Sequence, residues 1–299
     1  AEISQQKISH LLDSVGEINQ KFSKQGIVLK RFPLLTIRWL AFNMQDPLLG
    51  KNLNLRKAIA HAIDVRKYIQ VVQHNSALRA NSLYLPGIDG HDPRTDIAHE
   101  YNLQLAKNYL AKSGLRLPLK IKYSTRGKSA EDDQREASFI KESLAPIGIE
   151  VEIETLEFSQ FLAKGRKGEL QFFTDNWIYD FPDPINFLEL LFSVNTPGVN
   201  KSGYKNLQMD KLYEKVATTS LAAARREHLE RIEQLVKNDI PWIMLSYDRT
   251  LLLSHDNIKN IRESGIVRNF VKYVDVVEWV KGDYNSTPTP ATPAPMSVR

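Results

Sequence analysis

The sequence predicts an α/β protein, and three observations predict it. Apolar residues alternate at Leu119, Ile121 and Tyr123 and again at Ile149, Val151 and Ile153, with Ala137, Ile140 and Leu144 repeating at helical spacing between them. A β-α-β order of this kind makes two parallel strands joined by a crossover the expected arrangement. Two apolar runs rich in β-branched and aromatic residues, Leu34 to Phe42 and Trp242 to Leu253, read as further strands. Finally, 299 residues with 42% hydrophobic and 25% charged side chains suffice for two compact units with a buried core.

In chain order, Ile8, Leu11, Leu12, Val15, Ile18 and Phe22 mark an amphipathic helix over Ile3 to Phe22 that ends before Gly26. Ile27 to Leu29 and Leu34 to Phe42 read as two strands, the second closed by the Asp46-Pro47 turn. Leu55, Ala58, Ile59, Ala62 and Ile63 form the apolar stripe of a helix with Asn52 or Asn54 as N-cap, and Asp64 is placed to cap a second helix through Val72. His61 and Asp64 therefore read as structural. Beyond the Pro86-Gly87 loop, Leu103, Ala106, Tyr109 and Leu110 define a helix stopped by Gly114. After the β-α-β unit come a short helix, Ser159 to Lys164, and an apolar strand, Leu170 to Phe173. Helices follow at Met209 to Thr218 and Leu221 to Asn238, the second burying Leu229, Ile232, Leu235 and Val236 and stopped by Pro241. Past Val280 the chain becomes a proline- and threonine-rich tail that reads as linker or disorder.

Composition narrows the function. Forty basic and 35 acidic side chains give a net charge of +5, dispersed along the chain, so no nucleic-acid arm is expected. There is no apolar run long enough to span a bilayer and no signal peptide at Ala1. The chain is thus expected either never to be exported or to have lost its start. The absence of cysteine excludes disulfides and thiolate metal sites. None of the seven histidines pairs at i, i+4, so no metal and no cofactor are expected. Gly127-Lys128-Ser129 resembles the end of a phosphate loop, but Lys122 stands where its first glycine is needed. No Gly-x-Ser-x-Gly or His-Glu-x-x-His pattern occurs, and no catalytic residue is assigned.

The stretch Asn176-Trp177-Ile178-Tyr179-Asp180-Phe181-Pro182-Asp183-Pro184 carries the functional signal. Each of its prolines pushes the preceding residue out of the helical region and holds the segment open until Ile185. An indole and a carboxylate three residues apart suit a cationic ligand. The residues alone favour Trp177 as core and Asp180 as a turn cap.

Several landmarks together resemble a family. Trp39-Leu40-Ala41-Phe42-Asn43, Asp46-Pro47 and Asn54-Leu55-Arg56-Lys57-Ala58-Ile59-Ala60-His61-Ala62-Ile63-Asp64 are followed in order by Pro86-Gly87, Asp92-Pro93, Leu144-x-x-Ile147-Gly148-Ile149, Trp177-x-x-Asp180-x-Pro182-Asp183, Asp210-x-Leu212-Tyr213 and Pro241-Trp242-Ile243. From about Ile27 to Tyr273 this is similar to the oligopeptide- and dipeptide-binding proteins, the family 5 solute-binding proteins of ABC importers. The resemblance implies a periplasmic-binding-protein-like fold (type II, cluster C), with a complete second lobe, part of the first and the hinge strands between them. Residues 1–40 would be the late part of lobe I, 41–239 lobe II with a ligand loop at 174–184, 240–284 the return crossing, and 285–299 the tail. Phe42 and Asn43 would form the hinge. Because family members are longer, Ala1 is expected not to be a natural start.

By the same resemblance the chain is no enzyme but an extracytoplasmic or periplasmic monomer that takes up peptides and presents them to a membrane permease. Asp180 would hold the ligand's α-ammonium group and Trp177 would wall the pocket, with Asn176, Tyr179 and Thr174 as further ligand contacts. Some members carry an arginine at the Thr174 position to receive a ligand carboxylate, so recognition of very short peptides by that route is not expected. Family members that bind nickel chelates, oligosaccharides or opines, and related sensor domains of regulators, remain alternatives.

Overall fold

A computed structural model describes residues 26–126, 130–259 and 275–276. The expected helix over Ile3 to Phe22, the Gly127-Lys128-Ser129 stretch and the tail lie outside them. Among the described residues no helix is long and apolar enough to cross a membrane.

The centre is a six-stranded mixed sheet in the order β2-β6-β1-β5-β3-β4, made of β1 (Ile27–Phe42), β2 (Leu78–Arg79), β3 (Leu119–Arg126), β4 (Ile149–Leu156), β5 (Phe172–Ile178) and β6 (Trp242–His255). As expected, β3 and β4 run parallel, Leu119 opposite Ile149 through Arg126 opposite Leu156. Helix α4 (Ala130–Leu144) links them. Ile153 departs from the predicted pattern. It is 40% exposed because β4 closes the edge of the sheet.

Helices cover both faces. Even-numbered β1 residues, Leu40 and Phe42, join one apolar cluster with α1 (Leu53–Ala62), α2 (Val65–Val71), α3 (Leu103–Lys112) and α4. Odd-numbered residues, Ile37, Trp39 and Ala41, join the other with α5 (Phe158–Lys167), α6 (Ile185–Leu188), α7 (Leu207–Thr218) and α8 (Ala222–Asp239). The strand period of two thus divides one chain's apolar residues into two cores. A register shift between Arg38 and Trp39 in the β1–β6 pair resets this alternation, so that Leu245 packs in the first cluster and Tyr247 in the second.

Two of the predicted caps form. Asn52 accepts from Leu55 N at 3.0 Å, and Asp64 accepts from Arg66 N and Lys67 N, each at 3.0 Å. His61 is tied to the carbonyl of Glu100 at 2.7 Å, a structural role as expected. Arg56, 5% exposed, donates to the carbonyls of Leu49, Gly50 and Asp239 at 2.7, 2.8 and 2.7 Å. It joins the turn after β1 to the end of α8. Gly50 makes this turn possible, since a Cβ there would lie 2.2 Å from the Met44 carbonyl oxygen. On the other face Glu233 of α8, 1% exposed, accepts from the Ser82 hydroxyl and from Leu83 N.

Two boundaries differ from expectation. Ile27–Phe42 is one strand, not two. Its first part, Ile27 to Pro33, pairs only with Arg249 to His255 of β6, and a register shift between Pro33 and Ile37 absorbs the proline. The result is a two-stranded ribbon projecting beyond the sheet. Phe42 and Asn43, the expected hinge, lie at the opposite end of β1. There Phe42 is fully buried and Asn43 bonds to the carbonyls of Gln171 and Gly168 at 2.9 and 2.8 Å.

Candidate functional site

The second difference concerns the expected ligand loop. Strand β5 does not stop at Phe173 but runs to Ile178, because Leu40 to Thr36 of β1 pair with Thr174 to Ile178. Only 179–184 remain as loop. On its other side β5 pairs with β3 at Phe172 and Phe173 alone, so among the described strands Thr174 to Ile178 present a free edge.

Strand parity decides where each candidate side chain goes. Thr174, 4% exposed, faces the α4 side, where its hydroxyl lies 2.7 Å from the Tyr123 hydroxyl, which in turn donates to Glu136 at 2.7 Å. It is not brought to Trp177 or Asp180. Tyr179, 3% exposed, stacks on Phe187 with centroids 5.8 Å apart. Phe187 packs in turn against Trp39 and Trp242. Tyr179 is therefore part of the aromatic floor and not a pocket wall. Asn176 is half-buried, and its side-chain oxygen accepts from the Arg126 guanidinium.

Trp177 and Asp180 are brought together, through a residue the sequence reading did not single out. Asn186 Oδ1 accepts from Trp177 Nε1 at 3.1 Å and from Asp180 N at 2.9 Å. Its Nδ2 is 3.4 Å from Asp180 Oδ2. Trp177 leans on the core while Asp180 is exposed, which leaves an accessible carboxylate beside an indole. Ile178 and Phe181, 47% and 48% exposed, flank it. Burial, and secondarily the charge of Asp180, raises the Glu189 carboxyl above its usual range.

The loop's far side is clamped. Asp183 accepts from Ile185 N at 2.9 Å and from Arg225 NH2 at 2.7 and 2.8 Å. Arg225 also reaches Asp89 at 2.6 Å. Asp183 is thus a turn residue and makes no acid/base pair with Asp180. Beneath the site Asp175, 4% exposed, pairs with Lys201 at 2.6 Å and Arg126 at 3.6 Å. A carboxylate inside the apolar run Phe172-Phe173-Thr174-Asp175 was the sequence signal for such a buried pair. Asn186 and Arg225 carried no comparable signal. Among the described residues no cluster of His, Asp or Glu is placed to hold a metal. The arrangement offers recognition of a cation and no nucleophile activated by a base.

The family model described as bacterial extracellular solute-binding proteins, family 5 Middle, matches residues 9–198. The oligopeptide-binding protein OppA of Bacillus subtilis is 27% identical over 240 residues, 77% of this chain and 43% of its own. The dipeptide-binding protein DppE of the same organism is 28% identical over 239 residues, 76% of this chain and 42% of its own. This chain spans less than half the length of these curated relatives. Among solved structures, the periplasmic binding protein DppA of Helicobacter pylori in complex with the peptide STSA superposes with a TM-score of 0.76 at 28% identity. The match covers 88% of this chain and 51% of that one. The expected periplasmic-binding-protein-like type II fold is the one observed.

Proposed function

The chain belongs to the bacterial extracellular solute-binding proteins, family 5, and from that premise we propose that it contributes one wall of a peptide-binding cleft in the solute-binding component of an ABC importer. The observation that carries this reading is the exposed Asp180 carboxylate, joined to the Trp177 indole through Asn186. A peptide's α-ammonium group meets Asp180 in a charge-assisted hydrogen bond, and Trp177 walls the first residue. The free edge of β5 supports the same reading, since an extended peptide can pair with it whatever its side chains. Asn176 stands on that edge, whereas Thr174 and Tyr179 are buried on opposite faces of the sheet.

The protein works outside the cytoplasmic membrane, binds without chemistry and hands its ligand to a permease. A ligand shifts the closing equilibrium only by binding the closed form better. The departure of the two-stranded ribbon from the sheet near Pro33 to Ile37 and at Arg249 supports a crossing to the other lobe there, with lobe II beginning near Thr36 instead of residue 41.

Asp180→Asn tests the reading. Losing a charge-assisted hydrogen bond of about 1.5–3 kcal/mol should weaken binding roughly 10- to 150-fold. Calorimetry with a pool of tetrapeptides measures it. Unchanged affinity removes Asp180 from the site.

A further inference from the structure

Asn186 is 5% exposed and sits in the single-turn helix α6. Its oxygen serves two donors on two different residues, Trp177 Nε1 and Asp180 N, while its NH2 group faces Asp180 Oδ2. The orientation of the amide is forced, because the flipped form would aim NH2 at two N–H groups. No other side chain of this size offers both functions here. An aspartate would set a second carboxylate against Asp180, and a leucine would strip the indole and the backbone N–H of their acceptor.

We propose that Asn186 is a positioning residue that makes Trp177 and Asp180 a single receptor for an ammonium group. It occupies one oxygen of Asp180, turns the other toward the ligand, and sets the indole beside it. The role rests on the reading that Asp180 meets an ammonium group. Among the described residues, Glu189, Asp183, Asp89 and Arg225 are charged groups around the loop. Arg225 is paired with Asp183 and Asp89 on the far side, away from the amide.

Two measurements test this. In the ligand-free, isotope-labelled chain, Asn186→Ala should move the Trp177 indole N–H resonance, because the indole loses its acceptor. With tri-alanine against N-acetyl-tri-alanine, Asn186→Ala should lower the ratio of free to acetylated affinity by about tenfold, with the acetylated peptide changed by less than about twofold. A structural role would weaken both peptides alike. A ratio that survives Asn186→Ala but collapses in Asp180→Asn overturns the positioning role, as does an indole resonance that is unmoved in Asn186→Ala. A ratio that survives Asp180→Asn overturns the ammonium reading itself. If Asn186→Ala does not fold, Asn186→Ser carries the same comparison.

Discussion

Replacing Arg56 by alanine is expected to destabilise the fold by about 3–5 kcal/mol, since three carbonyls lose their donor and each buried orphan costs roughly 1–3 kcal/mol less whatever water recovers. The guanidinium is 5% exposed. Two of its nitrogens converge on the Asp239 carbonyl at 3.1 and 2.7 Å, while NH1 serves Leu49 and Gly50. A planar fork with five donors fits this set, and an ammonium does not. Arg56→Lys should therefore recover only part of the loss. Urea denaturation followed by tryptophan fluorescence measures both, and a loss below about 1 kcal/mol for alanine would mean that water replaces the guanidinium.

Glu233→Gln should act in the opposite direction and only at the upper end of the pH range. Burial pushes the Glu233 carboxyl up to about 7, above its ordinary 4.5, against the hydrogen bonds from Ser82 and Leu83 that favour the ionised form; Glu230 and Asp92 add to the rise. A carboxyl with a raised folded value binds its proton more tightly folded than unfolded. Its contribution is complete below pH 4.5, falls as pH rises through 7, and is level above that. The fall amounts to at most about 3 kcal/mol. Glutamine keeps the oxygen that Ser82 and Leu83 need and carries no charge. The variant should thus match wild type at about pH 4.5 and exceed it at pH 8 by a similar amount. Comparing the two proteins at each pH cancels the other carboxylates. A difference that does not change with pH would show that Glu233 is already solvated.

What the sequence made legible was local. The β3-α4-β4 unit followed from periodicity, and the caps Asn52 and Asp64 from their place before apolar stripes. Features set by partners far along the chain stayed hidden. That Ile27–Phe42 passes through Pro33 as one strand depends on β6, more than 200 residues away. That β5 reaches Ile178 depends on β1, and with that register comes the parity that turns Thr174 and Tyr179 inward. At the site, Trp177 and Asp180 were found by family position more than by physics. Asn186, six residues from Asp180, and Arg225, 42 from Asp183, are polar residues whose roles exist only once the loop is folded.

The ribbon formed by Ile27 to Pro33 with Arg249 to His255 also limits how anything at its far end can travel. Sliding one strand along the other would break every cross-strand bond at once, and stretching works against covalent geometry, whereas twisting and flexing across the ribbon cost little when no third strand braces it. Such a ribbon is mechanically anisotropic. It would act less as a tether than as a guide rail, confining a body carried at its far end to a narrow arc.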